Sequence, residues 1–270
     1  MGRWDLNGKV AIVTGGSKGL GLACVEEFLA LGARVLIVSR KAEELEALCA
    51  RLNGRYPAAA DWVDADVSLD QGCAAVVQKA LSMWGGVLDI LVNNVGTNKR
   101  ARVEETAEED YLGMVRTNQD SAYFMCKRCL PLLRASSSPS VVNISSVAGI
   151  RSSGTGVAYA MTKAAMAHMS EALACEWASY GIRVNCVCPW MARTPLLEEA
   201  IKNDPGQLDR VCHATPLGRL GEPSDTGGAV AFLCMPAAAY ITGQVVAVDG
   251  GLAAQGFRGP CVEPSSSAKK

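Results

Sequence analysis

Seven short runs rich in Val and Ile constrain this chain more than any other feature, because a helical pattern separates each from the next. The runs are Val10–Thr14, Arg34–Ser39, Asp61–Asp64, Leu88–Asn93, Val141–Ile144, Arg183–Val187 and Val245–Val248. Most are continuous rather than alternating, the pattern of parallel strands covered on both faces. Helices are predicted at Leu20–Leu31, Ala42–Leu52, Leu69–Met83, Ala107–Leu133, Ala158–Tyr180 and Pro223–Cys234. Ser68 with Gln71, and Thr106 with Glu109, have the spacing of capping boxes at two of these starts. Strand and helix in alternation predict an α/β fold: a doubly wound, seven-stranded parallel sheet with right-handed crossovers and helices on both faces. No repeat or linker divides the chain, so residues 1–260 are expected to form one domain and the polar 261–270 a disordered tail.

Composition narrows the classes of function. The chain of 270 residues is 49% hydrophobic, with a mean hydropathy of +0.14, as a packed globule should be. No apolar run approaches the ~18 residues of a membrane helix, and Met1–Leu6 has no signal core. Gly2 invites myristoylation, but Leu6 stands where Ser or Thr is required. A net charge of −1 offers no general attraction for nucleic acid or membrane surfaces. The 11 cysteines are an odd number scattered through strands and helices. They are expected to be free thiols in a reducing compartment, the cytoplasm, or an organelle if a transit peptide has been removed. Cys126 and Cys129 are spaced C-x-x-C, and Cys186 and Cys188 form a second close pair. His168 and His213 stand apart from both, so no metal is expected.

Between the first strand and first helix runs Thr14-Gly15-Gly16-Ser17-Lys18-Gly19-Leu20-Gly21. Glycines there permit a tight turn and close approach of backbone to phosphate, and the helix N-terminus offers free N–H groups to a pyrophosphate. The same letters also spell Gly15-x-Ser17-x-Gly19, the elbow of a serine hydrolase. Its first-strand position and the want of a well-placed histidine make that the minor reading. A dinucleotide site predicts a selector at the end of the second strand. Ser39-Arg40-Lys41 stands there, with no carboxylate before Glu43, and Lys18 adds a second cation. The bland reading is two solvated cations; the missing acid favours NADPH/NADP+ over NAD(H).

Tyr159 and Lys163 lie four residues apart, on one face of a predicted helix. Met166, Met169, Leu173 and Trp177 continue the helical spacing, and Gly181 stands at a capping position. A cation beside a phenol lowers its pKa, bringing tyrosine towards useful acid–base chemistry. Taken alone, the pair is more simply a packed tyrosine beside a solvated lysine.

Further motifs follow in order: Asp66-Val67, Asn93-Asn94-Val95-Gly96, Asn118, Asn143-Ile144-Ser145-Ser146, Arg183-Val184-Asn185 and Asp249-Gly250-Gly251. With the glycine turn and Tyr159-x-x-x-Lys163, this set resembles the short-chain dehydrogenase/reductase family from about Leu6 to Gly251. Arg3-Trp4, the run Asn93–Asn98 and Pro189-Trp190 resemble its tropinone-reductase-like members. The resemblance implies a single Rossmann-type domain and an NADPH-dependent oxidoreductase that converts a ketone to a secondary alcohol. It implies that Tyr159 is the proton donor, that Lys163 lowers its pKa and holds the nicotinamide ribose, and that Ser146 bonds the substrate oxygen. Asn118 would hold a water leading to solvent. Cofactor contacts are implied for Gly15, Ser17, Lys18, Gly19, Leu20, Gly21, Ser39, Arg40, Asp66, Val67, Asn93, Val95, Gly96, Pro189, Met191 and Thr194. Thr97, Trp190, Leu196 and Leu197 join Ser146 and Tyr159 at the substrate.

Trp190 departs from the family's usual glycine and is expected to wall the nicotinamide face or the pocket. The segment Arg151–Gly156 reads as a polar, mobile loop. No acid lies between Val147 and Ala158, and Glu198 and Glu199 fall on the covering helix. A neutral cyclic ketone or diketone is therefore expected over a cation such as tropinone. The long helices carrying Asn118 and Tyr159 imply a homodimer or homotetramer. The alternative is a catalytically idle NADPH-binding sensor or scaffold.

Overall fold

A computed structural model describes residues 2–194, 197–198, 201–202, 204 and 206–256. The expected tail at 261–270, together with Leu196 and Glu199, lies outside the described residues. The strands are β1 (Val10–Thr14), β2 (Arg34–Ser39), β3 (Ala60–Asp64), β4 (Ile90–Asn93), β5 (Ser140–Ile144), β6 (Arg183–Pro189) and β7 (Val245–Val248). They form one seven-stranded sheet in the order β3-β2-β1-β4-β5-β6-β7, with every pairing parallel. Strand order reverses between β1 and β4. The crevice above their C-terminal ends is where such sheets bind ligands.

The helices are α1 (Gly19–Ala30), α2 (Ala42–Arg55), α3 (Asp70–Trp84), α4 (Glu108–Met114), α5 (Ser121–Arg134), α6 (Val157–Glu176), α7 (Gln207–Ala214) and α8 (Pro223–Cys234). They cover both faces because the central strands β1, β4, β5 and β6 are buried throughout. Ala11 and Val13 pack with Phe28 of α1 and Val230 of α8, whereas Ile12 packs with Met125 of α5 and Leu173 of α6. Removing this apolar surface from water supplies most of the stabilisation.

Four expectations are corrected. The single helix expected over Ala107–Leu133 is α4 and α5 joined by a π-helical turn, Val115–Asp120. The wider turn adds a residue without ending the helix, and it carries Asn118. Neither expected capping box forms. Ser68 instead donates its hydroxyl to Asp66 at 2.6 Å, and Thr106 donates to the Arg102 carbonyl at 2.8 Å. A reciprocal cap occurs at α8, between Glu222 and Asp225. Helix α6 ends at Glu176, before a 3-10 turn at Ala178–Tyr180, and Gly181 closes that turn with φ 72°. Helix α7 has no counterpart in the sequence expectations.

At the opposite end of the sheet, Asp89 ties β1 to β4. It accepts from Lys9 Nζ at 3.0 Å, the Val10 amide at 3.0 Å and the Ser136 hydroxyl at 2.6 Å. Lys9 and Asp89 are both buried, so removing the carboxylate strands a cation in the interior. We expect Asp89→Ala to cost about 3–5 kcal/mol, measured as a fall in the urea unfolding midpoint. A loss below about 1 kcal/mol, the scale of an exposed ion pair, would contradict this account.

Candidate active site

The glycine turn is clamped to the end of β4. Thr14 Oγ1 accepts from the Asn94 amide at 3.0 Å, and Asn94 Nδ2 donates to the Thr14 and Gly15 carbonyls, each at 3.1 Å. Gly15 and Gly19 have φ of 65° and 57°, a region that disfavours other residues. At Gly21 a Cβ would stand 2.2 Å from the Gly15 oxygen and 2.5 Å from Asn94 Nδ2. The backbone is thereby left bare at the start of α1, as a phosphate requires. Thr194, beyond β6, closes over this turn: a Cβ on Gly19 would lie 3.5 Å from its methyl.

Ser17 donates to Ser39 at 3.0 Å, which brings the end of β2 to the glycine turn. Lys18 and Arg40 are exposed there and have no carboxylate partner among the described residues. Lys41, by contrast, is paired with Glu44. The Ser17 contact removes the hydrolase reading. His168 lies exposed on α6 with Glu171, and neither histidine meets Ser17. Beyond β3, Asp66 Oδ1 is engaged by Ser68, and Val67 is buried beside it.

The catalytic candidates converge on Lys163. The residue is 3% exposed, and its ammonium donates to the Ile144 carbonyl at 2.9 Å, with the Met166 sulfur at 3.6 Å. Two glycines make room for it. A Cβ on Gly96 would lie 3.1 Å from Nζ, and one on Gly149 would lie 2.6 Å from the Lys163 carbonyl carbon. No carboxylate balances the charge among the described residues, and burial pulls the Lys163 pKa down to about 8. A nicotinamide cofactor fits this arrangement: the glycine cradle is open to phosphate, and the unbalanced ammonium faces the same crevice, ready for ribose oxygens.

Ser145 and Ser146 are told apart by their hydrogen bonds. Ser145 donates to the Lys163 carbonyl at 2.6 Å and is buried. Ser146 Oγ accepts from the Ala148 amide at 3.1 Å, which leaves its proton available. Tyr159 stands beside Ser146. Contrary to expectation, its pKa is raised: burial disfavours the phenolate, and the nearby Ser146 hydroxyl offsets this only in part. The Lys163 ammonium points to Ile144 and lies 5.8 Å from the ring centre. The phenol is thus kept as a proton donor.

Asn118 is fully buried in the π turn. Its amide accepts from the Thr97 N–H at 2.7 Å and donates to the Thr97 carbonyl at 2.9 Å and to Thr162 at 3.0 Å. It therefore joins the β4 loop to α6 one residue before Lys163. The Asn93 amide turns into the layer between sheet and helix, donating to Asn143 at 2.8 Å and to Cys126 at 3.2 Å. Val95 packs against the core on that same side of the sheet.

Trp190 is held by its indole N–H to Thr215 at 3.1 Å and by its amide to Val248 at 3.1 Å. With Met191, Leu197 and Val211 it forms an apolar cluster beneath α7. The sequence did not disclose that Cys186 and Cys188 crowd this centre. Their sulfurs are 3.9 Å apart, and Cys188 adds to the raised Tyr159 pKa. Their common face on β6 was legible from an i, i+2 spacing.

This crevice, with tyrosine, lysine and serine beside a bare glycine turn, defines an oxidoreductase of the short-chain dehydrogenase/reductase class. A family model described as adh_short_C2, Enoyl-(Acyl carrier protein) reductase, matches residues 15–253, and the chain belongs to that family. A tropinone reductase homolog of Arabidopsis thaliana is 44% identical over 257 residues, covering 94% of this chain and 96% of its own. L-Sorbose reductase from Gluconobacter frateurii, solved with NADPH and L-sorbose, is 30% identical with a TM-score of 0.88, covering 94% of this chain and 100% of that one. A gluconate 5-dehydrogenase from Burkholderia cenocepacia, solved with NADP and tartrate, is 30% identical with a TM-score of 0.88, covering 94% and 98%.

The Gly21 clash gives a test of the cradle. We expect Gly21→Ala to weaken nicotinamide cofactor binding at least about tenfold, the scale of a strained insertion into a packed site. Fluorescence titration of the reduced cofactor measures it, and native affinity in the variant would overturn the assignment.

Proposed function

We propose that the protein reduces a ketone to a secondary alcohol with NADPH as reductant. The carrying observation is that two hydroxyls, on Ser146 and Tyr159, stand within hydrogen-bonding reach of each other, with the buried Lys163 one helical turn beyond the tyrosine. When bound, NADPH supplies the hydride. Tyr159, held protonated by burial, gives its proton to the carbonyl oxygen. Ser146 donates a hydrogen bond to that oxygen and orients it. Lys163 stabilises the charge left on the phenol and holds the ribose. Asn118 positions Lys163 from behind and serves the path to solvent. An idle sensor or scaffold would not need this set assembled around one oxygen, and NADPH consumption with a panel of ketones separates the two.

In the same reading, Asp66 and Val67 lie at adenine, Val95 and Gly96 along the adenosine ribose, and Pro189, Met191 and Thr194 at the nicotinamide end. Thr97, Trp190 and Leu197 border the substrate, with Leu196 beside them in sequence. The relatives solved with NADPH and NADP support the phosphorylated cofactor. No helix among the described residues is long and apolar enough to cross a membrane, and free buried thiols agree with a reducing compartment.

We expect Tyr159→Phe to lose at least about 10²-fold in kcat, the range of general acid–base catalysis, with NADPH affinity retained. The assay uses a neutral cyclic ketone or diketone, with tropinone as the cationic comparison and the poorer substrate. Near-native turnover in the variant would show that another acid does the work. For the cofactor, Arg40→Ala should weaken NADPH binding by about 1.5–3 kcal/mol, the value of a charge-assisted hydrogen bond, and leave NADH binding unchanged. Equal native affinity for the two cofactors would refute that choice.

Exposed apolar side chains lie on the helices expected to pair: Leu112, Tyr123 and Phe124 on α4 and α5, and Val157 and Met161 on α6. We read them as subunit contacts of a dyad-symmetric dimer or tetramer. Sedimentation at micromolar concentration should return a mass above 28.4 kDa; a monomer would disprove it.

A further inference from the structure

Between the loop after β4 and helix α7 lies a cavity of about 170 Å³, with walls that include Arg100, Ser153, Trp190, Met191, Gln207 and Val211. Trp190 directly follows Pro189, the last residue of β6, so the cavity lies just past the C-terminal end of that strand. The backbone carrying Arg100 touches the segment before the phenol. A Cβ on Gly156, three residues before Tyr159, would lie 3.2 Å from the Ala101 oxygen and 4.0 Å from Arg100 Cα. Asn98 fastens the two loops, donating to the Thr155 carbonyl at 3.1 Å.

The charges around this cavity are nearly all paired. Lys99 pairs with Asp110 at 2.6 Å and Arg102 with Glu104 at 2.5 Å. Asp204, the acid in the cavity wall, is neutralised by Arg210 beside it. Arg100 is the exception: it has no carboxylate partner among the described residues. Gln207 is the second unusual group. It is 9% exposed, yet its amide N–H reaches only the Met191 sulfur, at 3.8 Å. A thioether is a weak acceptor, so a buried donor is left under-used. A space this small suits the end group of a ligand rather than a whole one.

We propose that this cavity receives a carboxylate, and that the substrate is an oxo acid whose carboxylate lies remote from the reacting ketone. The proposal rests on the ketone-reductase reading and names its substrate class. A guanidinium matches a carboxylate with two parallel N–H donors, and Gln207, which lines the same cavity, can add a third. With a net charge of −1, the molecule supplies no general attraction for anions, so the selection is local to Arg100. The same charge set disfavours a cationic ketone. Arg100 also borders a wider cavity of about 830 Å³, beside Ala160 and the exposed Met161 of α6. An anion held only there would leave ketone selection indifferent to Arg100.

The test compares 4-oxocyclohexanecarboxylate with its neutral amide, with NADPH saturating. The native protein should favour the carboxylate in kcat/KM by at least about tenfold. In Arg100→Gln that ratio should fall to about one, and Arg100→Lys should restore part of it. A ratio taken within one variant cancels any general loss of folded enzyme. A native ratio near one, or a ratio unchanged by Arg100→Gln, overturns the proposal. Calorimetric binding of cyclohexanecarboxylate and cyclohexanecarboxamide, in the presence of NADP+, is the second arm. If neither ketone is reduced, the ketone-reductase reading fails and this arm decides the site. Tighter carboxylate binding that is lost in Arg100→Gln upholds it, and equal binding overturns it.

Discussion

A single buried ammonium organises the upper half of this molecule. Lys163 carries its charge into a place where the described residues offer one carbonyl and a thioether. Burying a charge without a partner is costly, and the cost falls on its surroundings. Gly96 and Gly149 lack side chains where Lys163 passes, Ser145 holds its backbone, and Asn118 braces the turn of α6 before it. Two loops, one helix and the end of β5 are thus committed to one nitrogen. The depressed lysine pKa is the measure of what remains unsatisfied, and ribose oxygens of a dinucleotide are suited to relieve it.

The second constraint is the reversal of strand order between β1 and β4. It opens a crevice that backbone alone could not keep in shape. Thr14 and Asn94 hold its two lips together, and Ser17 with Ser39 fixes its flank. These are neutral, short-range bonds between loops that begin where the sheet ends. They place the glycine turn and the group of Ser146, Tyr159 and Lys163 on one frame, as the proposed catalysis by positioning requires.

The architecture was legible because β-branched runs and helical periods differ in kind. The glycine turn, Tyr159 and Lys163 were legible because their spacing has few other uses in that context. What stayed hidden depends on how groups face one another. A π turn leaves the apolar period nearly intact, so Ala107–Leu133 read as one helix. Ser68 had the spacing of a cap but found Asp66 closer. Burial raises the Tyr159 pKa, and Lys163 turns to Ile144 instead of the phenol, a direction that no spacing encodes. Arg151 was the only charge visible between Val147 and Ala158, whereas Arg100, without a carboxylate partner among the described residues, emerged only once its neighbours had been matched with their acids. Helix α7 escaped because it is short and follows the Pro205-Gly206 pair.

The anchoring of Trp190 separates two kinds of evolutionary freedom. Its amide belongs to the β7 edge and its indole to Thr215 just past α7, so the ring is held by groups other than Ser146, Tyr159 and Lys163. Substitutions in α7 alter the surroundings of Trp190 without touching Gly96, Asn118 and Ser145, which hold Lys163 in place. Such a chain can vary the lining beside Trp190 by drift in one short helix while the frame around Lys163 stays as it is.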